Sequence, residues 1–213
     1  MMDDNYDEGK NMKLYITDGS PYARIVRIIL VEKGLSRHVE VLRAKTRTTN
    51  SPYYEINPSG RVPYLILDNG LGFEDSALIC HYLDHLDGKP VFDLSLTDDT
   101  WEFRRIEALA RSMLDGLAVL GREKRRPVNE QSPSIVSHEI DRARRLLDLW
   151  EQEIDHPSLS GDLNLVQITL ICGLGFADLI PDYDWRDNRP KLTRWFDQIS
   201  ARPSIADTAS VKK

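Results

Sequence analysis

Cysteine is scarce: the chain has two in 213 residues. A disulfide-stapled scaffold needs several, and a dithiol or zinc site needs them close together. Cys80 and Cys172 are far apart, form no Cys-x-x-Cys pair and sit in apolar stretches. They read as buried thiols of a cytoplasmic protein, with no disulfide. Also missing is any apolar run near the ~18–20 residues that span a bilayer. No leader combines a basic start with an apolar core, and no internal repeat or low-complexity stretch occurs. There is no basic excess either. The net charge of -6 argues against nucleic acid as the main partner. The chain is 41% hydrophobic and 29% charged. That composition and length suit one large domain or two small ones with a core that needs no staples.

The acidity is unevenly spread. Residues 1–11 carry Asp3, Asp4, Asp7 and Glu8 against Lys10, residues 12–87 are neutral, and residues 88–213 carry the rest. The first eleven residues read as a disordered tail. Met12 could be the original start, with the tail an extension.

From Met12 to Asp87 the pattern is mixed α/β. Lys13–Thr17 reads as a strand, stopped by Asp18-Gly19. Ser20-Pro21 then opens a helix, since serine is a favoured N-cap and proline is tolerated at the first helical position. Val26, Ile29 and Leu30 give it an apolar face, and Gly34 ends it. His38–Leu42 alternates as a second strand, which implies a parallel crossover. Asn57–Pro63 is a turn-rich approach to an apolar strand. Asp68-Asn69-Gly70 signals a hairpin, and Leu71–Glu74 returns antiparallel. Asp75-Ser76 offers N-cap side chains for a helix through Leu83. This order predicts a four-stranded mixed sheet. Residues 88–97 read as a linker, and residues 98–213 as all helix, with spans near 98–121, 133–154, 164–180 and 189–201. Asn164 with Gln167 has capping-box spacing. Gly173 and Gly175 would permit close helix packing.

The succession resembles the glutathione S-transferase superfamily. Its carriers are Ser20-Pro21-Tyr22-Ala23-Arg24-Ile25-Val26-Arg27, Asn57-Pro58-Ser59-Gly60-Arg61-Val62-Pro63 and Glu74-Asp75-Ser76-Ala77-Leu78-Ile79-Cys80-His81-Tyr82-Leu83, followed by a helical half and a late Arg202-Pro203-Ser204. Glu107–Arg126 and Asn164-Leu165 onward look like a bacterial branch with a poorly defined substrate. The resemblance implies a thioredoxin-like N-terminal domain, an all-helical C-terminal domain and a two-fold dimer. It also implies a detoxifying glutathione transferase that conjugates the glutathione thiolate to a small hydrophobic electrophile. Glutathione would be the co-substrate, with no metal, nucleic acid or membrane partner.

Glutathione is an anionic tripeptide whose thiol must ionise to be nucleophilic. By resemblance, Ser20 hydrogen-bonds its sulfur; read alone, Ser20 could simply cap its helix. Tyr15 is the rival, because other branches use a tyrosine on that strand, although it also reads as a packed aromatic. Val62-Pro63 resembles the family's cis dipeptide, whose backbone pairs with the cysteinyl portion. Asp75 and Ser76 would take the γ-glutamyl end, where many relatives carry Glu at the Asp75 position. Arg61 could meet the glycine carboxylate or be merely exposed. Tyr22, Arg111 and Met113 are candidates for the electrophile pocket, with packing the competing role. His81 and His85 have metal-ligand spacing but no further ligand signature, and the basic clusters at 122–126 and 142–145 read as solvated faces. Alternative readings keep the glutathione site but change the chemistry to disulfide reduction, dehalogenation or isomerisation. A last alternative is a non-catalytic ligand carrier or stress-linked interaction protein.

Overall fold

The computed structural model describes residues 12–93 and 100–210. The tail at 1–11, the last four residues of the expected 88–97 linker and the first two of the expected 98–121 helix lie outside those residues. The chain divides into two compact units, before and after Gly88–Lys89.

The first unit runs β1 (Met12–Ile16), α1 (Pro21–Glu32), β2 (Val39–Arg43), α2 (Tyr53–Ile56), β3 (Tyr64–Ile66), β4 (Gly72–Glu74) and α3 (Ser76–His85). The sheet order is β2-β1-β3-β4, with β1 parallel to β2 and the other pairs antiparallel. This is the four-stranded mixed sheet the sequence predicts. Alternation in β1 buries Met12, Leu14 and Ile16 on one face. Ile25, Ile28 and Ile29 of α1 join that core with Ile79 and Leu83 of α3. Helix α1 starts as expected on Ser20 and ends where Gly34 takes a φ of 66°. Gly70 closes the hairpin at φ 83°, its N–H donating to the Leu67 carbonyl at 2.9 Å.

The second unit contains α4 (Thr100–Lys124), α5 (Pro133–Gln152), α6 (Leu165–Ala177), α7 (Pro190–Ser200) and α8 (Pro203–Asp207). Helix α4 continues three residues past its expected end, and α6 stops three residues short. Helix α6 is apolar around its whole circumference and is buried on nearly every residue, as a central helix must be. Close approach depends more on α4 than on the α6 glycines. A Cβ on Gly121 would meet Phe176 at 2.7 Å and one on Gly116 would meet Glu139 at 2.7 Å, whereas Gly173 has ordinary room. The expected linker is docked at its end: Phe92 is buried, and its carbonyl accepts from Leu165 N–H at 3.1 Å.

Asn164 caps α6 differently from a reciprocal capping box. Its Oδ1 accepts from Val166 and Gln167 N–H at 3.0 and 3.2 Å, while Gln167 Nε2 donates to Ser160 O instead of reaching back. Asn164 is 1% exposed, and its Nδ2 donates to Ser158 O at 3.0 Å. Asn164→Ala strips a cap and orphans buried groups, so thermal unfolding should show a loss of about 2–4 kcal/mol. A loss below about 0.5 kcal/mol would mean the cap carries no weight.

Among the described residues, no helix is long and apolar enough to cross a membrane. Cys80 and Cys172 are buried thiols, and no disulfide joins them.

Candidate functional site

Sheet register gathers the candidate residues of the first unit. Tyr15 pairs with Tyr64, and Tyr64 with Glu74, so the end of β1, the start of β3 and the end of β4 lie side by side. Just beyond that row the chain places Ser20, Val62-Pro63 and Asp75-Ser76. Helices α1 and α3 both begin at this edge, so two N-termini present their polar N–H ends there. Helix N-termini are places where an anion can be held.

Ser20 is half-buried with extended backbone, and its Oγ accepts from Ala23 N–H at 3.2 Å. Capping and sulfur binding therefore need not compete. The cap uses an acceptor lone pair, and the hydroxyl proton remains as a donor. The Val62–Pro63 bond is cis. Asp75 is exposed, and its Oδ1 accepts from Ala77 N–H at 2.7 Å. Its φ of 80° is costly for a residue other than glycine. Ser76, the first residue of α3, is buried.

A hydrogen-bonded group absent from the sequence expectations holds the loop before Val62. Asn57, 3% exposed, donates from Nδ2 to Glu74 Oε2 at 2.8 Å and to Arg61 O at 3.0 Å, while its Oδ1 accepts from Ser59 N–H at 3.2 Å. Ser59 Oγ–H donates to the same Glu74 oxygen and accepts from Arg61 N–H at 3.1 Å. Tyr53 donates its hydroxyl to Arg61 O. Burial pushes the Tyr53 phenol up to about 12, with Asn57 opposing and Glu74 reinforcing the shift. It therefore stays a donor throughout the neutral range. Gly60 takes a φ of 66°, and a Cβ there would meet the Tyr54 ring at 2.7 Å. Asn57 and Gly60 lay within a motif singled out in the sequence. Tyr53 and Glu74 gave no local signal of joining it.

Tyr15 packs its ring on Tyr53, with centroids 5.5 Å apart. Arg61 is exposed.

Two family models divide the chain. The glutathione S-transferase N-terminal domain matches residues 14–90 and the C-terminal domain matches residues 105–198. A glutathione S-transferase structure from Methylobacillus flagellatus KT with GSH bound is 32% identical. It covers 94% of this chain and 100% of its own, with a TM-score of 0.81. The chain belongs to the glutathione S-transferase superfamily. A glutathione transferase family member from Pseudomonas fluorescens Pf-5 with bound glutathione is 29% identical, covers 94% of this chain and 99% of its own, and has a TM-score of 0.84. The GST-like protein YibF of Escherichia coli K12 is 29% identical over 94% of this chain and 100% of its own length.

Within this glutathione S-transferase fold the electrophile-pocket candidates separate. Tyr22 lies half-buried on the first turn of α1. Arg111 is half-buried on α4 and donates from Nε and Nη2 to Glu107 Oε1 at 3.1 and 2.8 Å. Met113 is 1% exposed and faces Gly173 of α6, so it packs between helices. The His81 and His85 rings lie 4.0 Å apart, and His85 Nδ1 is 2.9 Å from the His81 carbonyl. The 122–126 cluster is more than a solvated face. Arg125 lies 5.0 Å over the Phe176 ring and donates to the Gly121 and Leu179 carbonyls, and burial lowers its pKa.

Proposed function

We propose that this protein is a glutathione transferase that joins the glutathione thiolate to a small hydrophobic electrophile. The observation that carries this reading is the register row Tyr15–Tyr64–Glu74, which brings three separate sequence motifs and two helix N-termini to one sheet edge. The relatives with glutathione bound support the same ligand.

In this reading Ser20 donates its hydroxyl to the sulfur, beside the N-terminus of α1. Val62 pairs with the cysteinyl main chain. Ser76 and the N-terminus of α3 receive the γ-glutamyl carboxylate, and Asp75 receives the ammonium. Arg61, exposed on the same loop, receives the glycine carboxylate. The thiol gives up its proton to solvent as it binds. The thiolate then attacks the electrophilic carbon, forming a carbon–sulfur bond as the leaving group departs or the electrons move onto the acceptor. No metal is assigned a part. Membership of the superfamily further supports a homodimer in the cytoplasm.

Calorimetric titration with glutathione, followed by rates on a panel of small hydrophobic electrophiles, tests the proposal. Saturable binding with turnover on part of the panel is expected. Binding without turnover on any electrophile would sink the transferase assignment and leave a ligand-binding protein.

A further inference from the structure

The loop network described above does more than hold a turn. The Arg61–Val62 peptide unit is planar, so its carbonyl and its N–H point in opposite directions. Two donors, the Tyr53 hydroxyl and Asn57 Nδ2, converge on the Arg61 carbonyl. Fixing that carbonyl fixes the plane, and the Val62 N–H must then face away from Tyr53 and Asn57. The direction of Asn57's amide is also determined. Nδ2 is drawn to the Glu74 carboxylate oxygen, an acceptor, and Oδ1 is drawn to the Ser59 N–H, a donor. Glu74 ends β4 in register with Tyr64 and immediately precedes Asp75-Ser76. One carboxylate therefore ties the strand leading into the γ-glutamyl residues to the loop leading into Val62.

We propose that Tyr53, Asn57 and Glu74 are positioning residues: they clamp the Arg61–Val62 peptide plane so that Val62 N–H is aimed at the cysteinyl carbonyl of glutathione. The inference rests on the glutathione reading and adds residues that touch no substrate. They act on affinity, because a freely rotating peptide plane would have to be ordered each time glutathione binds. They leave thiol ionisation alone, because Ser20 and α1 belong to a separate part of the edge.

Tyr53→Phe removes one oxygen and retains the ring that packs on Tyr15. Glutathione affinity, measured calorimetrically, should fall about 5–10-fold in this variant, and about 10–30-fold in Asn57→Ala. The pKa of the bound thiol, followed by thiolate absorbance, should not move in Tyr53→Phe. Glu74→Ala should weaken binding as Asn57→Ala does, while Glu74→Gln, whose carbonyl still accepts from Asn57 and Ser59, should restore most of it. Amide exchange at Val62 supplies a readout that general destabilisation would not change selectively: glutathione should slow it in the wild type and slow it less in Tyr53→Phe.

Wild-type affinity and Val62 protection in Tyr53→Phe would overturn this inference while leaving the glutathione site standing. A thiol pKa displaced as far as the affinity would also overturn it. No glutathione binding by the wild-type chain would overturn both readings.

Discussion

Ser20→Ala should raise the pKa of bound glutathione by about 1–2 units, since a hydrogen bond to an ion contributes about 1.5–3 kcal/mol and a pKa unit corresponds to 1.36. The helix N-terminus remains and retains its own share, about 0.3–1 kcal/mol and more where partly buried. Below the wild-type pKa the thiolate fraction then drops about 10–100-fold, but a more basic thiolate is intrinsically more nucleophilic, and this returns part of the loss. With glutathione saturating, the net fall in kcat/KM for the electrophile near neutral pH should be about 3–15-fold. It should shrink as pH rises from the wild-type pKa to the variant's, and above the variant's pKa the more basic thiolate should react at least as fast as the wild type's.

The sign for binding follows from the same shift. A thiol pKa depressed in the complex makes affinity rise with pH between the complex's value and the free value of about 8.5, so Ser20→Ala should bind with a flatter pH dependence. At low pH the two proteins should bind alike. The lost cap adds a stability cost of about 0.5–2 kcal/mol, and Ser20→Gly, which retains most capping, separates it from the chemistry. A rate and pH profile unchanged across the electrophile panel would remove Ser20 from the reaction.

Asp75→Gly should move stability and affinity in opposite directions. At φ 80° an aspartate is strained by about 1–3 kcal/mol, and glycine adopts that region freely. Glycine caps only a few tenths of a kcal/mol less well than aspartate, and its larger unfolded-state entropy costs about 0.5–1. Unfolding should therefore show stability held or raised by up to about 1–2 kcal/mol. Glutathione affinity should meanwhile fall about 10–100-fold, because the charged acceptor for the ammonium is gone. Reduced stability with unaltered affinity would leave Asp75 as a helix cap and nothing more.

What could be read directly from the chain was local. Ser20 and Ala23, Asp75 and Ala77, and the Asp68-Asn69-Gly70 turn each satisfy their backbone partners within three or four residues, so their signals survive in a string of letters. Interactions that depend on register do not. Glu74 and Asn57 are 17 residues apart, and only the pairing of β3 with β4 sets the carboxylate against the loop. The start of α7 shows the same limit. Its Lys191 and Leu192 N–H groups donate to Glu151 of α5, at 3.0 and 2.7 Å across about 40 residues, so no cap appears in the adjoining sequence. Met113 shows a different ambiguity. Its helical spacing is the same whether that face lines a ligand pocket or packs on another helix, and only the position of α6 decides for packing. Arg125 looked like one charge among several because its partners, the Phe176 ring and the Leu179 carbonyl, arrive from α6 and the turn beyond it.

One sheet edge is proposed to hold glutathione with its sulfur on Ser20. A crystal structure of the complex tests it most directly. The sulfur should lie within hydrogen-bond distance, about 3.0–3.5 Å, of Ser20 Oγ. The cysteinyl main chain should pair with Val62, and the γ-glutamyl end should sit on Asp75 and Ser76. A sulfur seated on the Tyr15 hydroxyl, or glutathione bound away from the Tyr15–Tyr64–Glu74 edge, would contradict it.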